Sequence, residues 1–188
     1  MELIKRENRD GFIYSPIIKQ YSTTFWKSVT GTPAMSGDVL RFTSATGASL
    51  GQFAYADVEF LLTVPVKPTA GDARVWGFKL PDTNALGAAY FDITNTAFTA
   101  VTYSRAGVAE TTTLTWTDGT FSARAIPFRI RWDHDQVEFF VNGTKVATHS
   151  TSIPNLVKNL PLPLYIKNGN ADNMDLTYLA VSDAASIV

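Results

Sequence analysis

The chain contains no cysteine among its 188 residues. Without thiols it can form no disulfide framework, no thiolate metal site and no cysteine nucleophile. Its stability must therefore come mainly from a hydrophobic core, and a chain of 188 residues is long enough to bury one within a single domain. The absence of cysteine narrows the available chemistry and leaves the cellular compartment open.

A surplus of charge and a long hydrophobic run are also missing. The formal net charge is -1, so no broad basic field is available to hold a nucleic-acid backbone or an anionic lipid surface. No apolar run is long enough to span a bilayer, and the first residues, MELIKRENRDG, lack the apolar centre of a secretory signal. We therefore expect no nucleic-acid partner and no membrane partner, and a location in the cytoplasm or in a virion.

The sequence does contain frequent turn residues between short alternating segments. Twelve Gly and nine Pro separate stretches rich in Val, Ile, Thr and aromatic residues. In YADVEFLLTVP, alternate residues from Val58 to Val64 are apolar while Asp57, Glu59 and Thr63 are polar, as in a strand with one buried face. The pattern predicts roughly ten to twelve strands, too many for one open sheet. It indicates an all-β fold of two packed sheets or a barrel.

We expect two parts in the chain, namely an N-terminal arm with the first strand region over residues 1–24 and one β-sandwich over residues 25–188. The first ten residues are too polar to form a core alone, and either a helical or an extended arm fits them. Helix signals elsewhere are limited to PNLVKNLP, where Pro154 suits a first helical position.

The segment FRIRWDHDQVEFFVNGTKVATHS, residues 128–150, predicts two successive β-hairpins. With a turn at DHDQ, the core face gains three cross-strand pairs: Trp132 with Val137, Ile130 with Phe139 and Phe128 with Val141. The outer face gains an ion pair and a cation–ring contact: Arg131 with Glu138 and Arg129 with Phe140. The dipeptide Asn142-Gly143 then favours a two-residue type I′ turn.

Five segments occur in an order that resembles the concanavalin A-like jelly roll of laminarinase-type glucanases and related lectin-like modules. The resemblance covers roughly residues 40–183, and the segments read YADVEFLLTVP, WGFKLPD, FRIRWDHDQVEFFVNGTKVATHS, LPLYIKN and DLTYLAVSD. The resemblance implies a jelly-roll β-sandwich of two curved antiparallel sheets, whose concave sheet forms the groove where relatives hold sugars. It also implies that Asp, Asn and carbonyl oxygens near the chain ends sometimes hold a calcium ion.

The resemblance allows a test for catalysis, because the glucanase relatives carry Glu-x-Asp-x-x-Glu on one strand of the concave sheet. The strand most similar in position is GAAYFDITNT. Placing its Asp92 on the family's central Asp puts Tyr90 and Asn95 where the two Glu residues stand. A retaining hydrolase needs two carboxyl groups about 5 Å apart. This pair is missing, so we expect that the chain is not an enzyme.

Other catalytic groups are few. Asp57 and Glu59 lie on one strand face with Cβ atoms about 7 Å apart, a spacing that hydrated strand faces show routinely. His134 falls in a predicted turn and His149 at a strand end, and neither belongs to a known nucleophile or zinc motif.

Six residues fall on outward-facing strand positions and combine aromatic rings with partners for sugar hydroxyls. They form the candidate binding face for a sugar or a protein partner: Tyr90, Asp92, Tyr103, Arg129, Arg131 and Phe140. Cross-strand pairing, or burial under a neighbouring subunit, explains the same residues. The tryptophans Trp26, Trp76, Trp116 and Trp132 favour the core instead.

The loop KNGNADNMD offers oxygen ligands of the type that calcium prefers, with Asn170, Asp172 and Asp175 as candidates. Its spacing does not match an EF-hand loop. Turn chemistry accounts for the same composition, because Asn, Asp and Gly tolerate a left-handed backbone. We therefore expect no cofactor, with calcium as the alternative.

These observations favour a non-catalytic β-sandwich used for assembly or recognition. By analogy with lectin-like jelly rolls, they favour a structural protein of a bacteriophage virion, as a capsid decoration or an appendage. The expected partners are other protein subunits in an oligomer or assembly, and also glycans. Two alternatives are a stand-alone carbohydrate-binding module and a divergent laminarinase-type glycoside hydrolase.

Overall fold

The computed structural model describes residues 13–15, 26–64, 73–115, 124–154 and 161–183. Within these ranges the chain forms fifteen β-strands, and no described residue is helical. The strands make two antiparallel sheets that pack face to face around one core. The predicted all-β sandwich is confirmed. It has more strands than predicted, partly because three-residue strands are too short to show an alternating pattern.

One sheet, here called sheet A, has eight strands. They are β1 Ile13–Ser15, β3 Ala34–Ser36, β4 Val39–Phe42, β6 Ala56–Thr63, β11 Ile126–Trp132, β12 Val137–Val141, β13 Thr144–His149 and β15 Met174–Asp183. Their order is β13, β12, β11, β6, β15, β4 and β3, and β1 also pairs with β15.

The other sheet, here called sheet B, has seven strands. They are β2 Trp26–Thr30, β5 Ala45–Phe53, β7 Arg74–Leu80, β8 Thr83–Ile93, β9 Phe98–Tyr103, β10 Ala109–Leu114 and β14 Leu162–Asn168. Their order is β10, β9, β8, β7, β14, β5 and β2, so β8, β7 and β14 lie at the centre of the sheet.

Aromatic side chains from both sheets fill the space between them. Trp76 and Phe91 of sheet B are fully buried against Phe128 of sheet A, with ring centroids 4.8 and 5.5 Å from that of Phe128. Large rings of this kind bury the most apolar surface per residue, so they dominate the stability of the sandwich. The predicted burial is confirmed for Trp26, Trp76 and Trp132. Trp116 lies outside the described residues.

Both predicted hairpins are present, and the first has the predicted register, whereas the pairing of β12 with β13 shifts at a bulge between Phe139 and Phe140. All five cross-strand pairs between β11 and β12 are present, from Phe128 opposite Val141 to Trp132 opposite Val137. Asn142 and Gly143 have φ angles of 51° and 77°, as a type I′ turn requires. On the outer face Arg131 lies 3.8 Å from Glu138, and the guanidinium of Arg129 lies 5.4 Å from the ring centroid of Phe140.

Several sequence expectations fall only partly on the described chain. Of the arm expected over residues 1–24, the structure describes β1, which pairs with β15 at the edge of sheet A. The helical turn expected in PNLVKNLP falls on residues 155–160, which lie outside the described ranges. Among the described residues there is no helix of the length and hydrophobicity needed to cross a membrane.

Gly77 permits the close approach of β7 and β8 at the centre of sheet B. Its φ is 150°, and a Cβ atom at this position would lie 2.3 Å from the carbonyl oxygen of Ala89 and 2.6 Å from the Cα of Tyr90. Both neighbours are backbone atoms, which cannot rotate away as a flexible side chain can. Only glycine therefore fits at position 77 without displacing β8.

We expect Gly77→Ala to lower the free energy of unfolding by about 3 kcal/mol or more, because backbone strain and overpacking add. Gly107→Ala is the matched control, since Gly107 has a φ of 76° but open space where its Cβ would lie. It should lose only about 1 to 2 kcal/mol from the left-handed backbone. Urea denaturation of both variants measures the difference, and equal losses would contradict the packing argument.

Candidate functional site

The outer face of sheet B consists of the side chains that point away from sheet A. Cross-strand pairing aligns these side chains in rows. The first row contains Thr99, Asp92, Val75 and Lys167. The second contains Val101, Tyr90, Gly77 and Tyr165, and the third contains Tyr103, Ala88 and Lys79. Aromatic, acidic and basic groups are thus brought onto one surface from four neighbouring strands.

Part of this face is closed to solvent. A second, smaller apolar cluster lies here, formed by Ala48, Val75, Ala88, Tyr90, Val101 and Tyr165. Tyr90 is only 6% exposed, so it does not offer the open ring to a sugar that the sequence led us to expect. The half-buried members are Thr99 and four residues with ionisable side chains, Asp92, Tyr103, Lys79 and Lys167. These four residues are called the outer-face site below.

Asp92 is the acidic residue of the outer-face site. Its Oδ1 atom is buried and has no hydrogen-bond partner among the described residues. Burial raises the pKa of Asp92, and the positive charge of Lys167 opposes this effect without cancelling it. A carboxyl group in such surroundings keeps its proton to a higher pH than a free aspartate, which suits it to donate a proton.

Tyrosine and amide groups border Asp92. The rings of Tyr90 and Tyr103 stack with centroids 6.4 Å apart, and Asn84 Nδ2 lies 3.5 Å from the Tyr90 hydroxyl. Burial, together with Tyr103 and Asp92, raises the pKa of Tyr90, so its hydroxyl stays neutral. Asn84 Oδ1 is buried without a hydrogen-bond partner among the described residues. Among the described residues, one buried acceptor atom of Asp92 and one of Asn84 thus have no hydrogen-bond partner.

Lys79 and Lys167 supply the positive charge of the outer-face site. Lys79 Nζ donates a hydrogen bond of 2.8 Å to the carbonyl oxygen of Leu80 and lies 5.2 Å from the ring centroid of Tyr165. Burial lowers the pKa of Lys79, Lys167 lowers it further, and Asp82 raises it. Sequence analysis missed both lysines. The available signal was their phase, because Lys79 and Lys167 alternate with the apolar residues of ARVWGFKL and LPLYIKN.

The structure divides the six candidate binding residues between opposite sides of the molecule. Tyr90, Asp92 and Tyr103 lie on the outer face of sheet B, whereas Arg129, Arg131 and Phe140 lie on the outer face of sheet A. The six residues cannot form one site, because the two sheets and their shared core separate them. Alternation along a strand predicts that a residue faces outward but not from which sheet.

Charges on the outer face of sheet A satisfy one another. Arg129 donates to both carboxylate oxygens of Asp57, with 2.8 Å from Nε to Oδ1. Lys145 Nζ lies 3.0 Å from Glu138, which also faces Arg131. Burial raises the pKa of Glu59, and Arg129 opposes the rise. Since Arg129 holds both oxygens of Asp57, Asp57 offers no free carboxylate nucleophile.

The loop considered for calcium is held by protein donors. Both carboxylate oxygens of Asp175 accept from Arg41 at 2.8 Å, and Asn170 Oδ1 accepts from the amide of Ala171 at 2.9 Å. Asp172 Oδ2 lies 3.7 Å from Arg74. Across the described ranges, no three His, Cys, Asp or Glu side chains group in a way that could hold a metal ion. A calcium ion would have to displace the present donors.

The two histidines lie in different surroundings. His134 stacks on Tyr55 in an exposed turn, with ring centroids 3.8 Å apart. His149 is buried, and its Nδ1 and Nε2 atoms are hydrogen-bonded at 2.9 Å to the hydroxyls of Thr102 and Thr112. Burial lowers the pKa of His149, and Glu110 partly opposes this effect. Two threonine partners hold the imidazole in place and provide no acid for a catalytic triad.

No family model and no curated protein matches this chain. Solved structures do match it. The Crh5 transglycosylase has a TM-score of 0.70 at 12% identity, covering 93% of this chain and 85% of that one. The Bacillus licheniformis β-glucanase has a TM-score of 0.68 at 16% identity, and the match covers 94% of this chain and 100% of that one. The catalytic domain of an endo-1,3-β-glucanase (laminarinase) from Thermotoga petrophila RKU-1 has a TM-score of 0.62 at 14% identity. The match covers 88% of this chain and 94% of that domain.

These identities establish a shared fold, the glucanase-type jelly roll. The expectation that the chain is not an enzyme is contradicted, because the structures that share its fold are described as glucanases and a transglycosylase. That expectation rested on a missing glutamate pair, and the absence of one family's residues does not exclude another catalytic arrangement on the same scaffold. The expected virion role gains no support from these neighbours.

Asp92→Asn should raise stability at neutral pH. The folded state raises the pKa of Asp92 above its unfolded value, so above that pKa the native protein carries the cost of a buried charge. A neutral Asn removes this cost. Urea denaturation should therefore show a stabilised variant at pH 7, and the gain should shrink as the pH falls and Asp92 itself becomes neutral. A gain independent of pH would contradict this origin.

Wild-type stability should fall in mildly acidic solution because of His149. Its pKa is lower in the folded than in the unfolded chain, so its stabilising effect is complete above the unfolded value of about 6.5 and is lost as the pH falls. The slope it contributes cannot exceed about 1.4 kcal/mol per pH unit. Denaturation at several pH values should show a smaller slope for His149→Gln. His134→Gln, which leaves the buried imidazole in place, should keep the wild-type slope.

Proposed function

We propose that the chain is a divergent glycoside hydrolase that cleaves a glycan bound across the outer face of sheet B. Asp92 is the proton donor to the leaving sugar oxygen. The observation that carries this proposal is the state of the Asp92 carboxyl, which lies in the first row of the face, holds a buried Oδ1 without a hydrogen-bond partner among the described residues, and has a pKa raised by burial.

A glycosidic bond breaks readily only when the departing oxygen receives a proton. Glycoside hydrolases supply that proton from a carboxyl group whose surroundings raise its pKa. Asp92 has this property, and the half-buried Tyr103 lies on the same face. A hydroxyl group such as that of Tyr103 suits the recognition of sugar hydroxyls.

The reaction must differ from that of the glucanases whose sequence pattern the chain resembles. Tyr90 and Asn95 stand where that pattern has its glutamates, and Asp92 is the only acidic side chain that the described strands of sheet B present on this face. The described residues therefore supply a proton donor and no carboxylate nucleophile.

We accordingly propose a direct displacement by water. The bond between the anomeric carbon and the leaving oxygen breaks as Asp92 protonates that oxygen. Water forms the new bond to the anomeric carbon, releases a proton to solvent, and solvent returns a proton to Asp92. Without a base to activate the water, the rate should be low compared with that of a two-carboxylate enzyme.

The neighbouring structures support a glycan as the substrate class. Two of the three named above are β-glucanases, and the match covers the whole of the Bacillus licheniformis enzyme. The chain thus retains the full sandwich on which such enzymes bind a glucan. The capsid or appendage role expected from the sequence has no comparable observation in its favour.

Release of reducing ends from laminarin and lichenan by purified protein tests the proposal. Asp92→Asn should lower this activity about 10²- to 10⁴-fold, the range typical of a lost general acid. It should affect 2,4-dinitrophenyl β-glucoside far less, because that leaving group departs without protonation. The wild-type rate should fall as the pH rises through the pKa of Asp92, since the carboxyl must carry its proton.

Asp82→Asn is the control, because Asp82 is an exposed acid in the turn between β7 and β8. It should keep the wild-type rate on both substrates. Absence of reducing-end release across these glucans, or an equal loss on both substrates in Asp92→Asn, would overturn the role of Asp92.

A further inference from the structure

We infer that the outer-face site binds an acidic glycan, whose carboxylate or sulfate groups contact Lys79 and Lys167. The inference rests on the proposed function for its setting, since it names the substrate class of the same face. It is tested by binding, which does not require cleavage.

Lys79 and Lys167, the half-buried lysines of this face, form no ion pair among the described residues, unlike three basic residues on the outer face of sheet A. On the outer face of sheet A, Arg129, Arg131 and Lys145 each form an ion pair with a carboxylate. Within the described part of the chain, neither Lys79 nor Lys167 has a carboxylate within 4.0 Å. Among the described residues, these three basic side chains of sheet A are therefore paired with carboxylates, whereas Lys79, Lys167 and the exposed Lys27 of sheet B are not.

The surroundings of Lys79 disfavour its charged ammonium group when no ligand is bound. Its ammonium group has three donors, of which the described structure uses one, for the carbonyl oxygen of Leu80. The ammonium lies against the ring of Tyr165, and both burial and Lys167 disfavour its charge. A bound anion would accept the remaining donors and offset both penalties. The cation is thus positioned for an anionic ligand.

An anion bound to Lys167 would also affect the protonation of Asp92, the proposed proton donor. Lys167 stands in the same row as Asp92, separated by Val75, and its charge lowers the pKa of Asp92. A carboxylate or sulfate bound to Lys167 would screen this charge and favour the protonated carboxyl. Lys79 lies two rows away, about 13 Å along the strand direction. The two lysines would therefore contact different sugar units of one chain.

Three glucans with the same β-1,3 backbone provide the test: laminarin, carboxymethyl β-1,3-glucan and sulfated β-1,3-glucan. Calorimetric titration at 0.15 M salt should show that a charged glucan binds wild-type protein at least about tenfold more tightly than laminarin, the effect of one charge-assisted contact. Tighter binding of the carboxymethyl form identifies a carboxylated ligand, and tighter binding of the sulfated form identifies a sulfated one.

Variants assign the effect to the two lysines. Lys79→Gln and Lys167→Gln should each weaken binding of the charged glucan about tenfold and leave laminarin unchanged, while Lys167→Arg should keep most of the affinity. Lys145→Gln removes the same charge from the outer face of sheet A and should have no effect. Equal affinity for charged and neutral glucans, or an equal loss in Lys145→Gln, would overturn the inference.

Failure of this inference can be told apart from failure of the proposed function. Asp92→Asn should bind the charged glucan while losing cleavage. Lysine-dependent binding without hydrolysis of any of the glucans would remove the hydrolase proposal and keep the acidic-glycan site. Hydrolysis of laminarin with no preference for charged glucans would do the reverse.

Discussion

The alternation of side chains along β7, β8 and β14 is the constraint on which the rest of the structure depends. One set of residues, including Trp76 and Phe91, fills the core between the sheets, and the other set forms the outer face of sheet B. A slip of one residue in any of these strands would exchange the two sets. The packing that stabilises the sandwich therefore also fixes where Asp92 and Lys167 lie. Gly77, between Tyr90 and Tyr165, keeps β7 close enough to β8 for this register to hold.

Local pairing was predictable from the sequence, and long-range pairing was not. The hairpin of β11 and β12 joins residues close in the chain through a turn, so alternation and turn type determine its register. The contact of Arg129 with Asp57 joins residues 72 positions apart and depends on β11 lying beside β6. For the same reason the sequence could not show that Arg129 and Tyr90 lie on different sheets. Alternation distinguishes inward from outward residues but does not tell to which sheet a strand belongs. The burial of Tyr90 also depends on tertiary structure, since its position in the strand pattern is that of an outward residue.

The two outer faces differ in how many of their charged side chains form ion pairs. On sheet A, Arg129 pairs with Asp57 and Lys145 pairs with Glu138, as expected of a solvated sheet surface. On sheet B, a carboxyl with a buried free oxygen and two lysines without bonded carboxylates lie among tyrosines. Unsatisfied charge near apolar surface costs folding free energy, and proteins retain such groups chiefly where they bind or react. These groups on sheet B are the basis for proposing a binding surface there.

A shared fold also limits how much mechanism can be transferred. The glucanase-type sandwich positions side chains on a curved sheet, but the chemistry depends on which side chains occupy that sheet. When this chain is laid on the glucanase pattern that it resembles, Asp92 falls on the central aspartate, and Tyr90 and Asn95 fall on the flanking glutamates. Loss of the nucleophile removes double displacement, while a carboxyl with a raised pKa retains the capacity to protonate a leaving group. An enzyme of this kind would depend more on binding its substrate in the correct orientation, and unpaired lysines that hold an acidic glycan would supply that orientation.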